Sequence, residues 1–399
     1  MTGITAPVHP GRNLRCCTPL RGRACSTPAE RRLAALTKGN SLIRTSRHTR
    51  IAARVGALLV ALLLAAGLAP SAAAVAKAGP KAPVVPGLTL RQLAALKGVT
   101  IGAGATNPAY FSDPRFGQVL AKQFNSLSPE NELKWSFIQP ERGKFDFSKI
   151  DQLVRFAKQN RMAVKGHGLL SGGVNPEWVL QITDPADLRA ALTNHIRTIM
   201  TRYRGTIDRW DVVTEVFSTF GGTGLDQNHF YKVLGPDYIA ETFRIAHAAN
   251  PKAKLFLNES LVEYYPAKQQ ELYALVADMV AKGVPITGVG LETHETQSAP
   301  APGVMTDIVK SYRALGLDVA ITEMDVHVLD SQLQADIYRS VLAEALAAGV
   351  RDISFWGFTD AHHYTWVPGA KPLLFDEQYN PKPAFFAART ALAECRCRR

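Results

Sequence analysis

Eight short apolar segments alternate with amphipathic segments through most of the chain. The apolar segments span residues 99–105, 124–129, 162–170, 207–217, 254–259, 286–293, 318–326 and 353–360. Between them, apolar residues recur at helical spacing, as in 147–160, 184–204, 238–250 and 331–349. This alternation is typical of parallel β/α units. Eight such units in about 300 residues predict a closed (β/α)8 TIM barrel, an α/β fold.

Some helix boundaries can be predicted from single residues. Asp184 followed by Pro185 is typical of an N-cap and a first helical residue, and Gly349 is typical of a C-terminal stop. No Gly-x-Gly-x-x-Gly motif follows the first apolar segment, which disfavours an open dinucleotide-binding sheet. We therefore expect one catalytic barrel domain over residues 97–394.

The positive charge of the chain is concentrated at its ends. Residues 1–50 contain ten Arg or Lys and one acid, and so supply +9 of the formal net charge of +12. Without the further basic residues of 51–81 and 396–399, the stretch 82–395 carries a charge of −3. A body with this charge does not attract polyanions, so we predict no nucleic-acid partner.

The first 76 residues are predicted to be a basic extension followed by a secretory signal peptide. Four arginines between residues 44 and 54 precede the apolar run 55–69, and an Ala-x-Ala pattern follows at 74–76. This is the layout of a cleaved signal; the run is short for a membrane span, and an uncleaved anchor is the alternative. Residues 77–96, rich in Pro, Gly and Ala, are expected to form a linker. The predicted location is extracellular, with no membrane association after cleavage.

All five cysteines lie outside the body of the chain. Three are in the N-terminal extension, and two are in a basic tail over residues 395–399: Cys16, Cys17, Cys25, Cys395 and Cys397. The two tail cysteines are expected to have no framework role, or to pair between molecules. The Cys and His spacings are not those of a metal site, so we predict no metal and no cofactor.

Polar residues follow seven of the eight predicted strands. These strand ends read SPENELKW (128–135), KGHGLL (165–170), Glu215, Asn258–Glu259, ETHE (292–295), TEMD (322–325) and FWGFTD (355–360). Any one of them is explained by a strand cap or a solvated loop. Because active sites of such barrels lie at the C-terminal ends of the strands, seven polar ends together predict a polar active-site crater.

Two glutamates follow apolar strand residues directly. Glu215 comes after WDVVT and Glu323 after DVAIT. A carboxylate at such a position needs partners, and a salt bridge to a nearby Lys or Arg is the structural alternative. Two carboxyls across a barrel mouth suit hydrolysis of a glycosidic bond, in which one is the acid and the other attacks the anomeric carbon. Their surroundings must then push their two pKa values apart.

The motifs between residues 97 and 392 resemble those of glycoside hydrolase family 10, the xylanase family. They are SPENELKW…FIQPERGKFDF (128–147), GHGLL (166–170), WDVVTEVF (210–217), GVGLETH (288–294), ITEMD (321–325) and WGFTDAHHYTW…KPLLFDEQYNPKPAF (356–385), in the family's order. The resemblance implies a (β/α)8 barrel and a retaining enzyme that cuts β-1,4-xylan.

The resemblance also implies roles for individual residues. Glu215 matches the acid/base and Glu323 the nucleophile, while His294 and Asp325 match a network that orients the nucleophile. Substrate-binding positions are matched by Glu130, Asn131, Lys134, His167, Thr214, Asn258 and Glu292, and aromatic walls of the cleft by Trp356 and Trp366.

Plainer roles remain open for several of these residues and their neighbours. Trp135, Trp178 and Trp210 suit core packing as well as sugar stacking, and Lys134 suits a salt bridge with Glu130. The adjacent histidines of AHHY (361–364) could suggest a metal, but two neighbouring side chains do not easily share one ion.

The sequence departs from the family at four places, all in the predicted crater. Thr214 stands where the family has Asn, and Ser171–Gly172 where it has Trp–His. Glu292 replaces a Gln, and Glu259–Ser260 replaces a frequent Asp–Tyr pair. A third carboxyl near Glu323 is expected to be protonated, paired with His294 or turned away, because like charges raise each other's pKa.

The expected function is therefore that of a secreted retaining β-glycosidase, an endo-1,4-β-xylanase acting on xylan. One alternative is a family member that prefers another β-glycan or glycoside. Another is a carbohydrate-binding barrel with little catalysis, which the presence of both Glu215 and Glu323 disfavours. The expected partner is a polysaccharide substrate, and the protein is expected to be a monomer.

Overall fold

The computed structural model describes residues 87–218 and 222–397, which form a closed barrel of eight parallel strands. The strands are β1 Thr100–Thr106, β2 Ser126–Pro129, β3 Ala163–Gly166, β4 Arg209–Thr214, β5 Lys254–Glu259, β6 Gly288–Leu291, β7 Asp318–Val326 and β8 Asp352–Phe355. Each strand pairs with the next in the chain, and β8 closes the ring by pairing with both β1 and β7. The predicted TIM barrel is confirmed.

Helices connect the strands and cover the barrel. They are α1 Leu90–Lys97, α2 Pro114–Gln123, α3 Trp135–Ile138, α4 Ser148–Gln159, α5 Glu177–Leu180, α6 Pro185–Arg202, α7 His229–Leu234, α8 Tyr238–Ala249, α9 Pro266–Ala281, α10 Val304–Ala314, α11 Ser331–Ala348 and α12 Pro383–Glu394, with a 3-10 turn at Pro108–Ser112. Asp184 is the N-cap of α6, where its carboxylate accepts from the Asp187 amide, and Gly349 ends α11 in the left-handed conformation. Both predicted boundaries are confirmed.

The segment assigned to a linker differs from the expectation at its end. Residues 90–97 form helix α1, which is capped by Thr89 and Gln92 in a reciprocal capping box. Leu90 and Leu93 of this helix are buried in the core. The folded body therefore begins before residue 97. The predicted signal peptide, and the linker up to residue 86, lie outside the described residues.

Two other observations bear on the predictions, one on the tail cysteines and one on the helices of the described residues. Cys395 and Cys397 form a disulfide with each other, rather than pairing between molecules. Within residues 87–218 and 222–397, no helix is both long and apolar enough to cross a bilayer.

The strand sequences set how tightly the barrel closes. Gly166 at the end of β3 faces Trp210 of β4, and a Cβ added to Gly166 would lie 2.1 Å from the Trp210 ring. Trp210 is fully buried, and its indole N–H donates to the carbonyl of Ile207 at 3.0 Å. A glycine is therefore required for the indole to fill the space between two neighbouring strands. This packing fixes β3 and β4, which end at the candidate site.

Candidate active site

The C-terminal ends of the strands surround a cleft with a volume of about 570 Å³. Nine of the predicted site residues line it: Lys134, His167, Thr214, Glu215, Glu292, His294, Glu323, Trp356 and Trp366. The other four lie beneath or beside it: Glu130, Asn131, Asn258 and Asp325. Residues far apart in the chain are thus brought together where barrel chemistry is expected.

Glu323 lies within β7 and is 5% exposed, with polar partners on both carboxylate oxygens. Its Oε1 accepts from Asn258 Nδ2 at 2.7 Å and lies 3.6 Å from His167 Nδ1, while Oε2 lies 3.6 Å from His294 Nε2. Burial favours the protonated form, but the charges of His167 and His294 outweigh it and lower the pKa of Glu323 to about 2. Glu323 is therefore an ionised carboxylate at neutral pH.

A buried charge pair supports His167 from below. Asp211 Oδ2 lies 3.1 Å from His167 Nδ1 and 3.1 Å from Lys165 Nζ, and Lys165 also donates to the carbonyl of Thr322 at 3.1 Å. Burial opposes ionisation of Asp211, yet the Lys165 charge and the His167 hydrogen bond hold its pKa well below the usual range. Neither Lys165 nor Asp211 was predicted as a site residue. The signal was a charged residue inside an apolar strand, which needs a buried partner.

His294 connects Glu323 to a second buried acid. Its Nδ1 lies 2.7 Å from Asp325 Oδ1, and the same oxygen lies 2.8 Å from His327 Nε2. Burial disfavours the charged imidazole, but the charge and hydrogen bond of Asp325 raise the pKa of His294 well above its usual range. An imidazolium beside Glu323 Oε2 stabilises the ionised carboxylate.

Glu215 lies one residue beyond β4 and has a different environment. Its side chain is exposed, and its backbone has a left-handed φ of 55°, which is uncommon for a residue with a Cβ. Its amide donates to the carbonyl of Asn258 at 2.9 Å. The next two amides, of Val216 and Phe217, donate to Glu259 Oε2 at 2.8 and 3.2 Å. These bonds hold the unusual backbone that presents Glu215 to the cleft.

Glu292 lies beside Glu323 and is not turned away from the cleft. Its Oε1 accepts from Asn258 Nδ2 at 2.8 Å, and its Oε2 lies 3.5 Å from His294 Nε2. Burial, followed by the charges of Glu323 and Glu215, raises the pKa of Glu292 well above its usual range. Of the outcomes expected for this third carboxyl, protonation is the one that its surroundings favour.

Small residues form the wall next to Thr214. The strand register places Ser171 opposite Thr214 and Thr214 opposite Asn258. Thr214 is 5% exposed and lines the cleft together with Ser171 and Gly173. No atom outside the chain neighbours lies within 4 Å of a Cβ added at Gly173, so this wall is open.

The predicted sugar-binding residues after β2 form a network of their own. Lys134 Nζ donates to Asn131 Oδ1 at 3.2 Å, in place of the salt bridge with Glu130 that the sequence left open. Glu130 Oε2 instead accepts from Asn107 Nδ2 at 3.1 Å and from the Tyr110 hydroxyl at 3.0 Å. Lys134 is the member of this group that lines the cleft.

The five tryptophans divide into two groups. Trp135 and Trp210 are buried in the core, and Trp178 packs against it. Trp356 and Trp366 line the cleft, and Trp366 is 43% exposed. An exposed indole in a cleft offers a flat face on which a sugar ring can stack.

Part of the cleft lining was not predicted from the sequence. It consists of Leu261, Tyr264 and Tyr265, which follow Ser260 in the loop after β5, and residues 296–298, from the loop after β6. Tyr265 is 36% exposed, and the Tyr264 hydroxyl donates to the Ser298 carbonyl. The available signal was a pair of aromatic residues soon after a strand end.

Three groups of described residues bring possible metal-binding atoms within 4.8 Å of one another: His294–Asp325–His327, His167–Asp211–Glu323 and Glu292–His294–Glu323. All consist of the side chains that already bond to one another around Glu323, so we assign no metal to them. The adjacent histidines of AHHY have separate partners. His362 stacks on Tyr110, and His363 Nδ1 donates to the Asp360 carbonyl at 2.7 Å.

Comparisons with known proteins identify close relatives. The model of the family described as glycosyl hydrolase family 10 matches residues 89–391. Endo-1,4-beta-xylanase B of Thermotoga neapolitana is 35% identical over 322 residues, which cover 76% of this chain and 92% of the relative. Beta-1,4-xylanase of Dictyoglomus thermophilum is 34% identical, covering 72% and 86%. The structure of native xylanase 10B from Thermotoga maritima matches with a TM-score of 0.72 and 34% identity, covering 76% of this chain and 98% of that one.

Proposed function

The chain belongs to glycosyl hydrolase family 10, and we propose that it is an endo-1,4-β-xylanase that cuts xylan with retention of configuration. The observation that carries this proposal is the placement of Glu215 and Glu323 in one cleft with unlike surroundings. Glu323 is buried among cationic partners and ionised, whereas Glu215 is exposed at the rim. A retaining glycosidase needs such a pair, one nucleophile and one proton donor.

In the first step, Glu323 attacks the anomeric carbon and the bond from that carbon to the leaving oxygen breaks. Glu215 gives its proton to that oxygen, so the departing chain leaves as an alcohol. In the second step Glu215, now ionised, takes a proton from water. The resulting hydroxide attacks the same carbon and releases Glu323, which restores the initial charges.

The neighbours of Glu323 favour its role as the nucleophile. His294, oriented by Asp325, and Asn258 hold the carboxylate oxygens, so that its position does not depend on solvent. His167 and Lys134 place polar groups on the same side of the cleft as Trp356. We assign these three residues and Trp366 to sugar binding, with Asn131 supporting Lys134.

The decisive experiment measures release of reducing ends from xylan and from a panel of other β-glycans by the purified protein. Activity on xylan in preference to the panel supports the proposal. A preference for another β-glycan would favour the alternative, a family member with shifted specificity. The small residues Thr214, Ser171 and Gly173 in the cleft wall are where such a difference in substrate would arise.

Two variants test the assigned roles of the glutamates. Glu323→Gln should abolish turnover. Glu215→Ala should still release a good leaving group such as dinitrophenolate, but stall afterwards, and azide should restore turnover as a β-glycosyl azide. Formation of an α-glycosyl azide, or full activity of Glu323→Gln, would contradict this mechanism.

We also propose that the protein is secreted as a monomer after cleavage near residue 76. The Arg-rich segment followed by the apolar run 55–69 supports secretion, and the body's charge gives no reason to expect a nucleic-acid partner. N-terminal sequencing of culture medium protein should find a start close to residue 77. Light scattering should give the mass of one chain.

A further inference from the structure

Glu292 and Glu323 share their hydrogen-bonding partners. Asn258 Nδ2 donates to Oε1 of both, at 2.8 and 2.7 Å, and His294 Nε2 lies 3.5 and 3.6 Å from their Oε2 atoms. Glu292 is 4% exposed and Glu323 5%, so water screens neither charge. Two ionised carboxylates that bond to the same buried partners repel each other strongly. One proton on the pair relieves this repulsion.

We propose that Glu292 is a positioning residue that works in its protonated form, a neutral carboxyl that shares the Asn258 amide with Glu323 and keeps the nucleophile in place. This inference rests on the proposed role of Glu323. It adds that a single negative charge occupies the pocket during turnover, and that ionisation of Glu292 would displace Glu323 from its donors.

The charges around the pair decide which carboxyl holds the proton. They belong to Glu323 and Asp325 of β7, Glu215 after β4, Lys165 of β3, His167 after β3, Asp211 of β4, Glu259 of β5, His294, and the buried Glu263 and Glu295 near His294. The cationic side of this set faces Glu323, through His167 and Lys165. Glu292 has two negative neighbours, Glu323 and Glu215, and one positive one, His294. The proton therefore belongs to Glu292.

Asn258 is held so that it can serve both carboxyls. Thr322 Oγ1 donates to its Oδ1 at 2.6 Å, which directs both amide hydrogens toward the glutamates. Glu292 Oε1 thus accepts a hydrogen bond from the Asn258 amide, as Glu323 Oε1 does. A glutamine at position 292 could keep the same shape and the same neutral state at every pH.

The test compares urea unfolding of wild type and Glu292→Gln between pH 5 and 8. When a carboxyl stays protonated in the folded state but ionises in the unfolded state, the folded protein loses stability as pH rises. The unfolding constant of wild type relative to Glu292→Gln should therefore rise about tenfold per pH unit above the pKa of an ordinary glutamate. Glu141→Gln, at an exposed position, is the matched control, and its ratio should stay constant.

Activity provides the second measurement. At pH 5 to 6 Glu292→Ala, which removes the group that shares the Asn258 amide with Glu323, should lower kcat by more than about tenfold. Glu292→Gln should recover most of that loss, because amide and protonated carboxyl are both neutral. A constant unfolding ratio would overturn the proposal, since Glu292 would then be ionised in the folded protein. A Glu292→Gln variant no more active than Glu292→Ala would overturn it too. If xylan is not the substrate, activity fails while the unfolding result stands, which separates this inference from the proposed function.

Discussion

The buried pair of Lys268 and Glu259 holds the backbone that follows Glu215, and its removal is a quantitative test of the site. Lys268 Nζ lies 2.8 Å from Glu259 Oε1, and both side chains are fully buried. The other oxygen of Glu259 accepts from the amides of Val216 and Phe217. One ion pair thus joins helix α9 to the segment after the proposed acid.

Lys268→Met removes the cation and keeps a long apolar side chain. Breaking one partner from a buried pair costs about 3–5 kcal/mol, because the other charge is left uncompensated. Burial raises the pKa of Glu259, and the Lys268 charge opposes that rise, so the variant lets Glu259 take up a proton. Proton uptake by Glu259 limits the loss of stability. We expect the free energy of unfolding to fall by about 3 kcal/mol at pH 7. The loss should be larger at pH 8 and smaller at pH 5, since a raised pKa in the folded state costs stability as pH rises.

The double variant Lys268→Met/Glu259→Gln separates the charge from the backbone contacts. The glutamine oxygen can still accept from Val216 and Phe217, but its NH2 group cannot accept from the Ser260 amide as Glu259 Oε1 does. Stability should therefore recover in part, by about 1–2 kcal/mol relative to the single variant. Urea unfolding followed by tryptophan fluorescence gives each value. Lys254→Met is the control, because its pair with Asp318 is exposed and should contribute less than about 1 kcal/mol. A single variant as stable as this control, or a double variant no better than the single one, would refute the reasoning.

Two further changes test the cleft and the barrel. Thr214→Asn should raise kcat/KM on xylo-oligosaccharides if a hydrogen bond to the sugar is gained. The increase should correspond to about 1–3 kcal/mol of transition-state stabilisation. A neutral or harmful effect in steady-state assays would mean that Thr214 is only a small strand residue. Gly166→Ala should destabilise the protein by about 3 kcal/mol or more in urea, because its Cβ would overlap the Trp210 ring. Gly173→Ala, with open space around it, should change stability little, and equal effects of the two would contradict the packing argument.

The barrel could be predicted from the sequence because burial on both faces makes every parallel strand a continuous apolar run. The run 254–259 coincides with β5, and the run 318–326 with β7. A polar residue that interrupts or ends such a run must face the cleft or find a buried partner. That constraint identifies Glu215 and Glu323 as candidates from the sequence alone.

The partnerships of the site could not be predicted in the same way. Lys268 lies in the first turns of α9, where a lysine ordinarily points to solvent, and only the folded chain places it against Glu259. Asn258 was predicted as a sugar-binding residue, yet it lies beneath the cleft and contacts two carboxyls from different strands. Contacts of this kind depend on side-chain directions and on register between strands, neither of which a periodic pattern contains.

The difference between the two proposed catalytic glutamates follows from where each lies on its strand. Glu323 is inside a nine-residue strand, where side chains from several parts of the barrel surround it, and the charges of His167 and His294 keep it ionised. Glu215 is one residue past the end of its strand, exposed, and held by backbone hydrogen bonds. Folding therefore surrounds the proposed nucleophile with fixed partners, whereas it leaves the side chain of the proposed acid open to the cleft.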